Sequence, residues 1–349
     1  MGLYAYALRS GKILAYDVLD DGSLVPLGDP APLSFPTNNS MCASGDTVFA
    51  LGLGPDETTY VDIYQADRAS GQLIPRLLRH PLGNFDSGEL GMAATAPTDE
   101  VIYFYSCGEP YTDNDTPSTT LYAFIYSRAR HVVFPIGQLP LPGGGEATTL
   151  QFDGTGKMLY ASVSNGDYSP ASFAIDAKGM PTLTDKVPMV NPLQFGLAVD
   201  PTQKYVYTGS AEFFNPEVRG YSVSQGVFSP LKGVADHTKS MVSVMTMSLD
   251  GKYLFLSTTA SPFTGIGKNT VVSYAVNPLT GVLTPINEQA DGREVLAIAV
   301  TPDGKYLYAA SAREDTIYRY GIDQGALSTG TLVANAGMEI DGFVLVSEP

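Results

Sequence analysis

A hairpin-like pattern recurs along this sequence and restricts the folds open to it. Each copy has an apolar strand, a turn that often reads Asp-Gly followed by Lys, and a second strand rich in tyrosine. The clearest copies occupy residues 150–160, 197–207, 246–255 and 298–308. Their turn lysines are 47, 48 and 53 residues apart. Repeats of this length are typical of propellers and solenoids, in which each unit buries its apolar faces against its neighbours.

Weaker copies precede these and bring the number of units to seven. The aromatic anchors of the second strands, at spacings of 45 to 57 residues, are Tyr4, Phe49, Tyr103, Tyr160, Tyr207, Phe255 and Tyr308. Each unit continues with an alternating strand, such as residues 270–276, and with a fourth strand after a glycine turn, such as residues 280–286. Four strands per unit are typical of a propeller blade, and helical spacing of apolar residues does not persist anywhere.

The two ends of the chain predict how the ring closes. The first unit begins at its second strand, and residues 340–346 remain as a spare strand after the seventh unit. Pairing of this strand beside residues 3–8 would complete the first blade and protect its edge. We therefore predict one all-β domain, a seven-bladed β-propeller with four antiparallel strands per blade. The predicted blades 1 to 7 comprise residues 1–33 with 338–347, 34–83, 84–140, 141–190, 191–236, 237–290 and 291–337.

Composition excludes several classes of function. Hydrophobic residues make up 44% of the 349 residues and charged residues 16%, which suits a large core rather than disorder. The chain has 20 Lys and Arg against 36 Asp and Glu, a net charge of −16. Without a cluster of basic residues, nucleic acid and anionic membranes are not expected as partners, and no apolar run is long enough for a membrane helix. The oligomeric state stays open.

Two cysteines, Cys42 and Cys107, exclude a disulfide scaffold. Two buried free thiols are the simpler expectation, and one bridge between neighbouring blades is the alternative. The strand-like residues 3–7 follow the start almost directly, so no signal peptide is expected and the chain as it stands would be cytoplasmic. If a leader had been removed from it, the protein would be secreted.

The Asp-Gly-Lys-Tyr-Leu-Tyr hairpin at residues 303–308, its copies and the sevenfold spacing resemble the lactonase propeller family. That family includes cycloisomerase-type 6-phosphogluconolactonases and fungal 3-carboxy-cis,cis-muconate lactonising enzymes. The closing Gly337-Met338 with the terminal strand is similar to the end of the fungal branch. Fungal hetero-Diels–Alder cyclases of tropolone-sesquiterpenoid pathways are a further relative that the resemblance suggests. The resemblance to the lactonase propeller family covers almost the whole chain and implies the propeller fold.

The chain departs from this family where the bacterial lactonases carry polar groups. Their Pro-Arg-His run on one inner strand corresponds to residues 144–149 here, which contain neither Arg nor His. Their Pro-Arg-Gly-Phe on another inner strand corresponds to residues 295–298, Val-Leu-Ala-Ile. Their Glu and Arg after inner strands have rough counterparts in Glu212 and Arg313. The resemblance alone therefore does not carry lactone hydrolysis over to this chain.

The starts of the innermost strands and the loops after the second strands meet at one mouth of a propeller, so we place the candidate site there. Arg9, Arg293 and Arg313 belong to blades that become neighbours on closure, and arginine forks bind carboxylate or enolate oxygens well. We predict that they polarise the substrate together with Glu212. Solvated surface arginines paired with nearby acids are the alternative. Ser243 and Asp341 also lie at inner-strand starts.

A second group of predicted site residues would give the mouth an apolar and adaptable lining. Packing between blades is the alternative for its methionines. The predicted substrate-binding residues are Met41, Glu89, Met92, Tyr168, Phe195, Phe213, Phe214, Met241, Phe263 and Met338.

His237 follows Asp236 and is the histidine with the best prospects as a general base, an exposed loop histidine being the alternative. Three scattered histidines and an incomplete Asp113-Asn114-Asp115 pattern predict no metal site, and neither Gly-rich run precedes a helix, so no cofactor is predicted.

Three functions fit these features. The first is a metal-free cyclase or isomerase that binds an apolar small molecule at the mouth, such as a hetero-Diels–Alder cyclase of secondary metabolism. In such an enzyme, holding the reacting ends together supplies much of the rate. The second is a lactone hydrolase or muconate-type lactonising enzyme, which rests on family resemblance. The third is a non-catalytic binding propeller, for which a broad polar mouth without a pocket is expected.

Overall fold

A computed structural model shows the chain as strands joined by turns and loops. It describes residues 2–9, 11–35, 40–86, 92–110, 119–141, 143, 145–190, 193–211, 216–232, 236–238, 240–260, 267–290, 294–311, 314–337 and 340–347. Within these ranges there is no helix, and so none that could cross a membrane.

The strands are numbered in chain order. The first half of the chain contains β1 (Leu3–Arg9), β2 (Lys12–Val18), β3 (Leu24–Pro26), β4 (Ala31–Pro32), β5 (Ser40–Ser44), β6 (Thr47–Leu53), β7 (Thr59–Ala66), β8 (Leu73–Gly83), β9 (Phe85–Asp86), β10 (Met92–Thr98), β11 (Val101–Pro110), β12 (Thr120–Ser127), β13 (Val132–Pro140), β14 (Glu146–Phe152), β15 (Met158–Ser164), β16 (Tyr168–Ile175) and β17 (Pro181–Pro188). The second half contains β18 (Gln194–Val199), β19 (Tyr205–Ser210), β20 (Glu217–Ser224), β21 (Val227–Pro230), β22 (Asp236–His237), β23 (Met241–Met247), β24 (Tyr253–Thr259), β25 (Thr270–Val276), β26 (Leu283–Ala290), β27 (Val295–Val300), β28 (Tyr306–Ser311), β29 (Thr316–Asp323), β30 (Ala326–Leu327), β31 (Thr331–Asn335) and β32 (Ile340–Ser347).

These strands form seven antiparallel sheets, which are the blades. Blade 1 runs β32-β1-β2 and ends in β3 and β4, which share the fourth position. Blades 2, 3, 4 and 6 are β5-β6-β7-β8, β10-β11-β12-β13, β14-β15-β16-β17 and β23-β24-β25-β26. Blade 5 is β18-β19-β20 with β21 and β22, and blade 7 is β27-β28-β29 with β30 and β31. The short β9 pairs with β11.

The innermost strands close into a ring around a central channel. Each of β32, β5, β10, β14, β18, β23 and β27 contacts the next, and β27 contacts β32 again. The C-terminal strand β32 pairs with β1 from Leu3 opposite Ser347 to Leu8 opposite Gly342. The predicted seven-bladed propeller and its closure by the C-terminal strand are therefore confirmed.

Tyrosines of four second strands fasten their blades to the next blade around the ring. The hydroxyl of Tyr207 in blade 5 donates to the carbonyl of Gly281, in the outer hairpin of blade 6, at 2.8 Å. The same bond links Tyr6 to Gly71, Tyr105 to Gly179 and Tyr308 to Gly22. The last of these joins blade 7 to blade 1. The tyrosine-rich pattern of the repeat therefore provides buried hydrogen bonds between blades as well as apolar surface.

Strand direction separates the two mouths of the channel. Antiparallel pairing brings the starts of the innermost strands and the ends of the second strands to one mouth, which we call the top mouth. The Asp-Gly-Lys turns lie at the opposite mouth, where they are tightly capped. In the equivalent Asp-Pro-Thr-Gln-Lys turn of blade 5, Asp200, 2% exposed, accepts the backbone N–H of Thr202 at 2.8 Å and that of Lys204 at 3.3 Å. These turns serve the fold and leave the top mouth as the candidate site.

Cys42 and Cys107 are both free and buried, which confirms the simpler of the two expectations. Burial raises the pKa of each thiol well above its usual value. Neither thiol is therefore activated as a nucleophile.

Candidate functional site

A β-bulge near the top mouth recurs in five of the innermost strands. In β18, Gln194 pairs with Ser210 and Gly196 with Gly209, so Phe195 is the extra residue of the bulge. The extra residues of the five bulges, which we call the mouth ring, are Thr148, Phe195, Ser243, Leu296 and Asp341. In blades 2 and 3 the matching position lies outside the described residues. Bulges re-aim side chains and recur next to binding sites.

Two members of the mouth ring are large exposed apolar side chains. Phe195 is 41% exposed and Leu296 is 45% exposed. Both faces of an innermost strand pack against neighbouring blades, so a side chain exposed on such a strand faces the channel. Apolar side chains in a concave opening are typical of small-molecule sites.

Ser243 of blade 6 lies between these two apolar residues in the order of the blades. Its hydroxyl is 2.6 Å from that of Thr259 on the adjoining strand. On the other side of Phe195, the hydroxyl of Thr148 donates to the carbonyl of Gln194 at 2.8 Å. The bulges are therefore held in place by hydrogen bonds within blade 6 and between blades 4 and 5.

Arg9 and Asp341 lie on neighbouring strands where blades 7 and 1 meet. In the pairing of β1 with β32, Arg9 lies opposite Ile340 and Leu8 lies opposite Gly342. The bulged residue Asp341 therefore lies between these two pairs, on the strand next to Arg9. The guanidinium of Arg9 donates through Nη1 to the carbonyl of Ala336, just before β32. Its Nε is buried and has no hydrogen-bond partner among the described residues. Arg9 thus fixes the closing segment, and the backbone register places Asp341, whose side chain is exposed, on the strand next to Arg9.

The structure describes seven of the fifteen predicted site residues. Arg9, Phe195 and Met241 lie on strands at the top mouth. Met41 and Met92 are half-buried and pack against the apolar clusters between blades 1 and 2 and between blades 2 and 3. The predicted residues that lie outside the described residues are Glu89, Glu212, Phe213, Phe214, Phe263, Arg293, Arg313 and Met338.

Tyr168 occupies a different place from the one predicted. We expected it in a loop at the mouth, but it begins β16, is 1% exposed and packs in the cluster between blades 3 and 4 that includes Cys107. Burial raises the pKa of Tyr168 to about 12. Its ring lies 4.8 Å from the ammonium of Lys186. An aromatic ring this well packed is part of the blade interface, because the strand begins earlier than the sequence suggested.

His237, the predicted general base, is also displaced from the channel. It forms β22 with Asp236 and pairs with Glu217 of β20, the third strand of blade 5. His237 is thus in the fourth strand position, roughly 14 Å from the innermost strand at about 4.8 Å per strand. A general base must reach its proton within hydrogen-bond distance. The topology of blade 5 does not bring His237 to the channel.

Leu296 and Thr148 are mouth-ring residues that sequence reasoning did not single out. In the sequence, Leu296 stands out only as the residue aligned with an arginine of the bacterial lactonases. The signal that could have identified both is their alignment with Phe195 near the start of an inner strand, two residues before a buried leucine or isoleucine. Among the described residues, no group of three His, Cys, Asp or Glu side chains could hold a metal ion.

Comparisons with known proteins match this architecture. A family model described as a lactonase, seven-bladed β-propeller, matches residues 216–339. A candidate 6-phosphogluconolactonase from Bacteroides uniformis is 17% identical, with 99% of each chain covered and a TM-score of 0.76. The periplasmic gluconolactonase of Pseudomonas aeruginosa is 16% identical, with 100% of this chain and 99% of that chain covered and a TM-score of 0.74. A candidate 6-phosphogluconolactonase from Bacteroides fragilis is 17% identical over 99% of this chain and 98% of that chain, with a TM-score of 0.73.

No curated protein matches the sequence. At these identities the solved structures show the fold and do not assign a substrate. Together, the family match over residues 216–339 and the full-length structural likeness confirm the predicted resemblance to lactonase-type propellers, and the fold of this chain is a seven-bladed β-propeller.

Proposed function

We propose that this protein hydrolyses an uncharged lactone at the top mouth. The observation that carries the proposal is the mouth ring, where the apolar Phe195 and Leu296 flank one side of the channel and Asp341 lies beside Arg9. The lactonase family match and the gluconolactonase of P. aeruginosa among its structural neighbours support ester-ring chemistry. The family match and this structural likeness favour lactone hydrolysis over cyclisation, the first of the three functions that fit the sequence.

The apolar ring members argue for an uncharged substrate. Leu296 stands where the bacterial lactonases carry an arginine, and a leucine offers nothing to a phosphate group. The net charge of −16 further opposes the approach of a dianion. Phe195 and Leu296 would instead pack against the carbon skeleton of a neutral ring.

Asp341 and Arg9 would supply the polar chemistry. The Asp341 carboxylate takes a proton from water as the water oxygen attacks the lactone carbonyl carbon. The Arg9 guanidinium stabilises the negative charge that develops on the carbonyl oxygen. The bond from the carbonyl carbon to the ring oxygen then breaks, and the proton returns from Asp341 to that oxygen. The product is an open hydroxy acid, whose carboxyl group then ionises, releases its proton to the solvent and leaves a carboxylate beside Arg9.

The direct test is proton release in a pH-stat with two substrates. An alkyl-substituted δ-lactone should be opened faster by the protein than in buffer, and 6-phosphogluconolactone should be opened more slowly than the neutral ring. Preferential opening of the phosphorylated lactone would contradict the proposed neutral substrate. Opening of neither substrate would contradict the function and favour a binding propeller.

Asp341→Asn is the variant that tests the chemistry. It should lower kcat by about 100-fold or more, the usual contribution of a general base, with KM little changed. Asp323→Asn is the matched control because Asp323 is an exposed aspartate at the far end of β29. An Asp341→Asn protein as active as this control would exclude Asp341 as the base.

The apolar lining is tested separately. Phe195→Ala and Leu296→Ala should raise KM for the alkyl lactone about tenfold, because each removes apolar contact area from the site. Phe134→Ala and Leu279→Ala are controls, since these side chains are 50% and 88% exposed away from the top mouth. Equal effects of test and control variants would show that the ring does not contact substrate.

Cyclisation of an apolar molecule remains a second candidate, favoured by the same exposed Phe195 and Leu296. It would be supported if the protein isomerised a reactive terpenoid or quinone-methide precursor without releasing acid. In that case Asp341→Asn would retain activity, because holding the reacting ends together does not need a base.

A further inference from the structure

A row of hydroxyl side chains lines the interface between blades 6 and 7 near the top mouth. On blade 6, Phe255 faces blade 7, and alternation along β24 places Ser257 and Thr259 on the same face. On blade 7, Leu307 and Ala309 face blade 6, and alternation along β28 places Ser311 there too. We call the following residues the hydroxyl seam: Ser243, Ser257, Thr259, Ser311 and Thr316.

The seam is continuous with the mouth ring. Ser243 is a mouth-ring residue, and its hydroxyl contacts that of Thr259 at 2.6 Å. The hydroxyl of Ser257 donates to the carbonyl of Val295 at 3.3 Å, which ties blade 6 to the innermost strand of blade 7. Val295 in turn pairs with Ser311. These contacts connect the mouth ring, at Ser243, to the interface between blades 6 and 7 that contains Ser311.

Blades 5 and 6 show how the hydroxyls at this position are normally satisfied. In blades 5, 6 and 7, the residue six positions after the turn lysine, near the end of the second strand, and the first residue of the third strand form an equivalent pair. In blade 5, the backbone N–H of Glu217 donates to the hydroxyl of Ser210 at 3.0 Å. In blade 6, the hydroxyls of Thr258 and Thr270 bond one another at 2.7 Å, and Thr258 also donates to the carbonyl of Lys268.

In blade 7, the hydroxyls of the equivalent pair, Ser311 and Thr316, are not satisfied in this way. Ser311 is 1% exposed and Thr316 is 8% exposed, and neither hydroxyl oxygen has a hydrogen-bond partner in the part of the chain that the structure describes. Two buried hydroxyls without partners are costly, since each loses its bonds to water on folding. They are equivalent to Thr258 and Thr270, yet they do not bond one another. A single hydroxyl group that donates to one and accepts from the other would satisfy both.

We propose that Ser311 and Thr316 form a subsite that binds one hydroxyl group of the substrate. This inference rests on the proposed lactone hydrolysis and adds to it a substrate class: an apolar lactone that carries a hydroxyl substituent. The carbon skeleton packs on Phe195 and Leu296, and the hydroxyl enters the seam beside Ser243. The five side chains of the seam are all neutral hydroxyls, so a neutral group is favoured over an anion.

The test compares two lactones that differ by one hydroxyl, 3-hydroxy-3-methyl-δ-valerolactone and 3-methyl-δ-valerolactone. The wild-type protein should prefer the hydroxylated lactone in kcat/KM by roughly tenfold, the value of a hydrogen bond worth about 1.4 kcal/mol. The double variant Ser311→Ala with Thr316→Val should lose this preference and retain activity on the lactone without the hydroxyl. Thr258→Val, in the equivalent and satisfied pair of blade 6, should keep the preference.

Binding of the matching lactams, 4-hydroxy-4-methylpiperidin-2-one and 4-methylpiperidin-2-one, separates this inference from the catalytic proposal. Lactams resist opening, so calorimetry reports the subsite even if the protein opens no lactone. Tighter binding of the hydroxylated lactam by wild type, lost in the double variant, supports the subsite whether or not catalysis is found. Equal binding of the two lactams by wild type would overturn the subsite and leave lactone hydrolysis untouched.

Thermal unfolding without ligand decides between a substrate subsite and a permanent water site. If the two hydroxyls have no partner in the free protein, the double variant should unfold at the same temperature as wild type or higher, because apolar groups of similar shape replace unsatisfied polar ones. A clear fall in Tm with unchanged lactone preference would mean that a bound water satisfies the pair, and would overturn the proposal.

Discussion

At the scale of single residues, the blades are held in register by glycines that leave room for a neighbouring tyrosine ring. Gly281 has a φ of +69°, and a Cβ added there would lie 2.6 Å from Cδ1 of Tyr205. Residues with a side chain rarely adopt this backbone φ, and a Cβ at 2.6 Å from the Tyr205 ring must push that ring aside. The same position carries the carbonyl that accepts the Tyr207 hydroxyl.

Gly281→Ala should therefore lower the free energy of unfolding by about 3 kcal/mol, from backbone strain and from overpacking against Tyr205. Gly304→Ala is a close control, because its φ is also +69° and nothing lies within 4 Å of the added Cβ. Only the backbone cost, about 1 kcal/mol, is expected there. Urea unfolding of both variants measures the difference, and equal losses would mean that the tyrosine contact contributes nothing.

At the scale of elements, the C-terminal strand β32 closes the ring by pairing with β1 and packing against blade 7. Phe343 on β32 is 7% exposed and lies 5.9 Å, centroid to centroid, from the ring of Tyr308 in blade 7. Its side chain joins the cluster that spans blades 7 and 1.

Phe343→Ala should cost about 3 kcal/mol of unfolding free energy, from lost burial and from the cavity left between two blades. Phe134→Ala, on the outer strand β13 and 50% exposed, should change it by less than about 0.5 kcal/mol. Guanidinium unfolding followed by tyrosine fluorescence makes the comparison. Losses of similar size would show that β32 is not packed as a closing strand.

The elements also show what the sequence could and could not predict. The repeat spacing and the spare strand at residues 340–346 were sufficient for the blades and their closure, because burial and edge protection act on every unit alike. The alignment of Leu296 with Phe195 can be recognised in the sequence, but the bulges at these positions could not be predicted, since they depend on the hydrogen-bond register between two strands. His237 was misplaced for a related reason: it lies beside Glu217 only because β21 and β22 share one strand position.

At the scale of the whole molecule, buried tyrosines make the fold sensitive to alkaline pH. Burial raises the pKa of Tyr160 and of Tyr168 from 10.0 to about 12. A folded-state pKa above the unfolded value means that the unfolded chain loses its protons first. The stabilisation is therefore complete below pH 10 and is lost as pH rises from 10 towards 12. We expect the free energy of unfolding to fall steeply over this window.

Tyr168→Phe isolates one contribution to this alkaline loss. Its hydroxyl is buried and makes no hydrogen bond among the described residues, so its removal should leave stability at pH 7 unchanged or slightly higher. Between pH 10 and 12 the variant should retain up to about 3 kcal/mol that the wild type loses, at 1.36 kcal/mol per unit of pKa shift. Urea unfolding at pH 7, 10 and 11.5 tests both parts. A variant that is weaker at pH 7 would place a hydrogen-bond partner on this hydroxyl, and an unchanged alkaline loss would mean that Tyr168 ionises without opening the interface between blades 3 and 4.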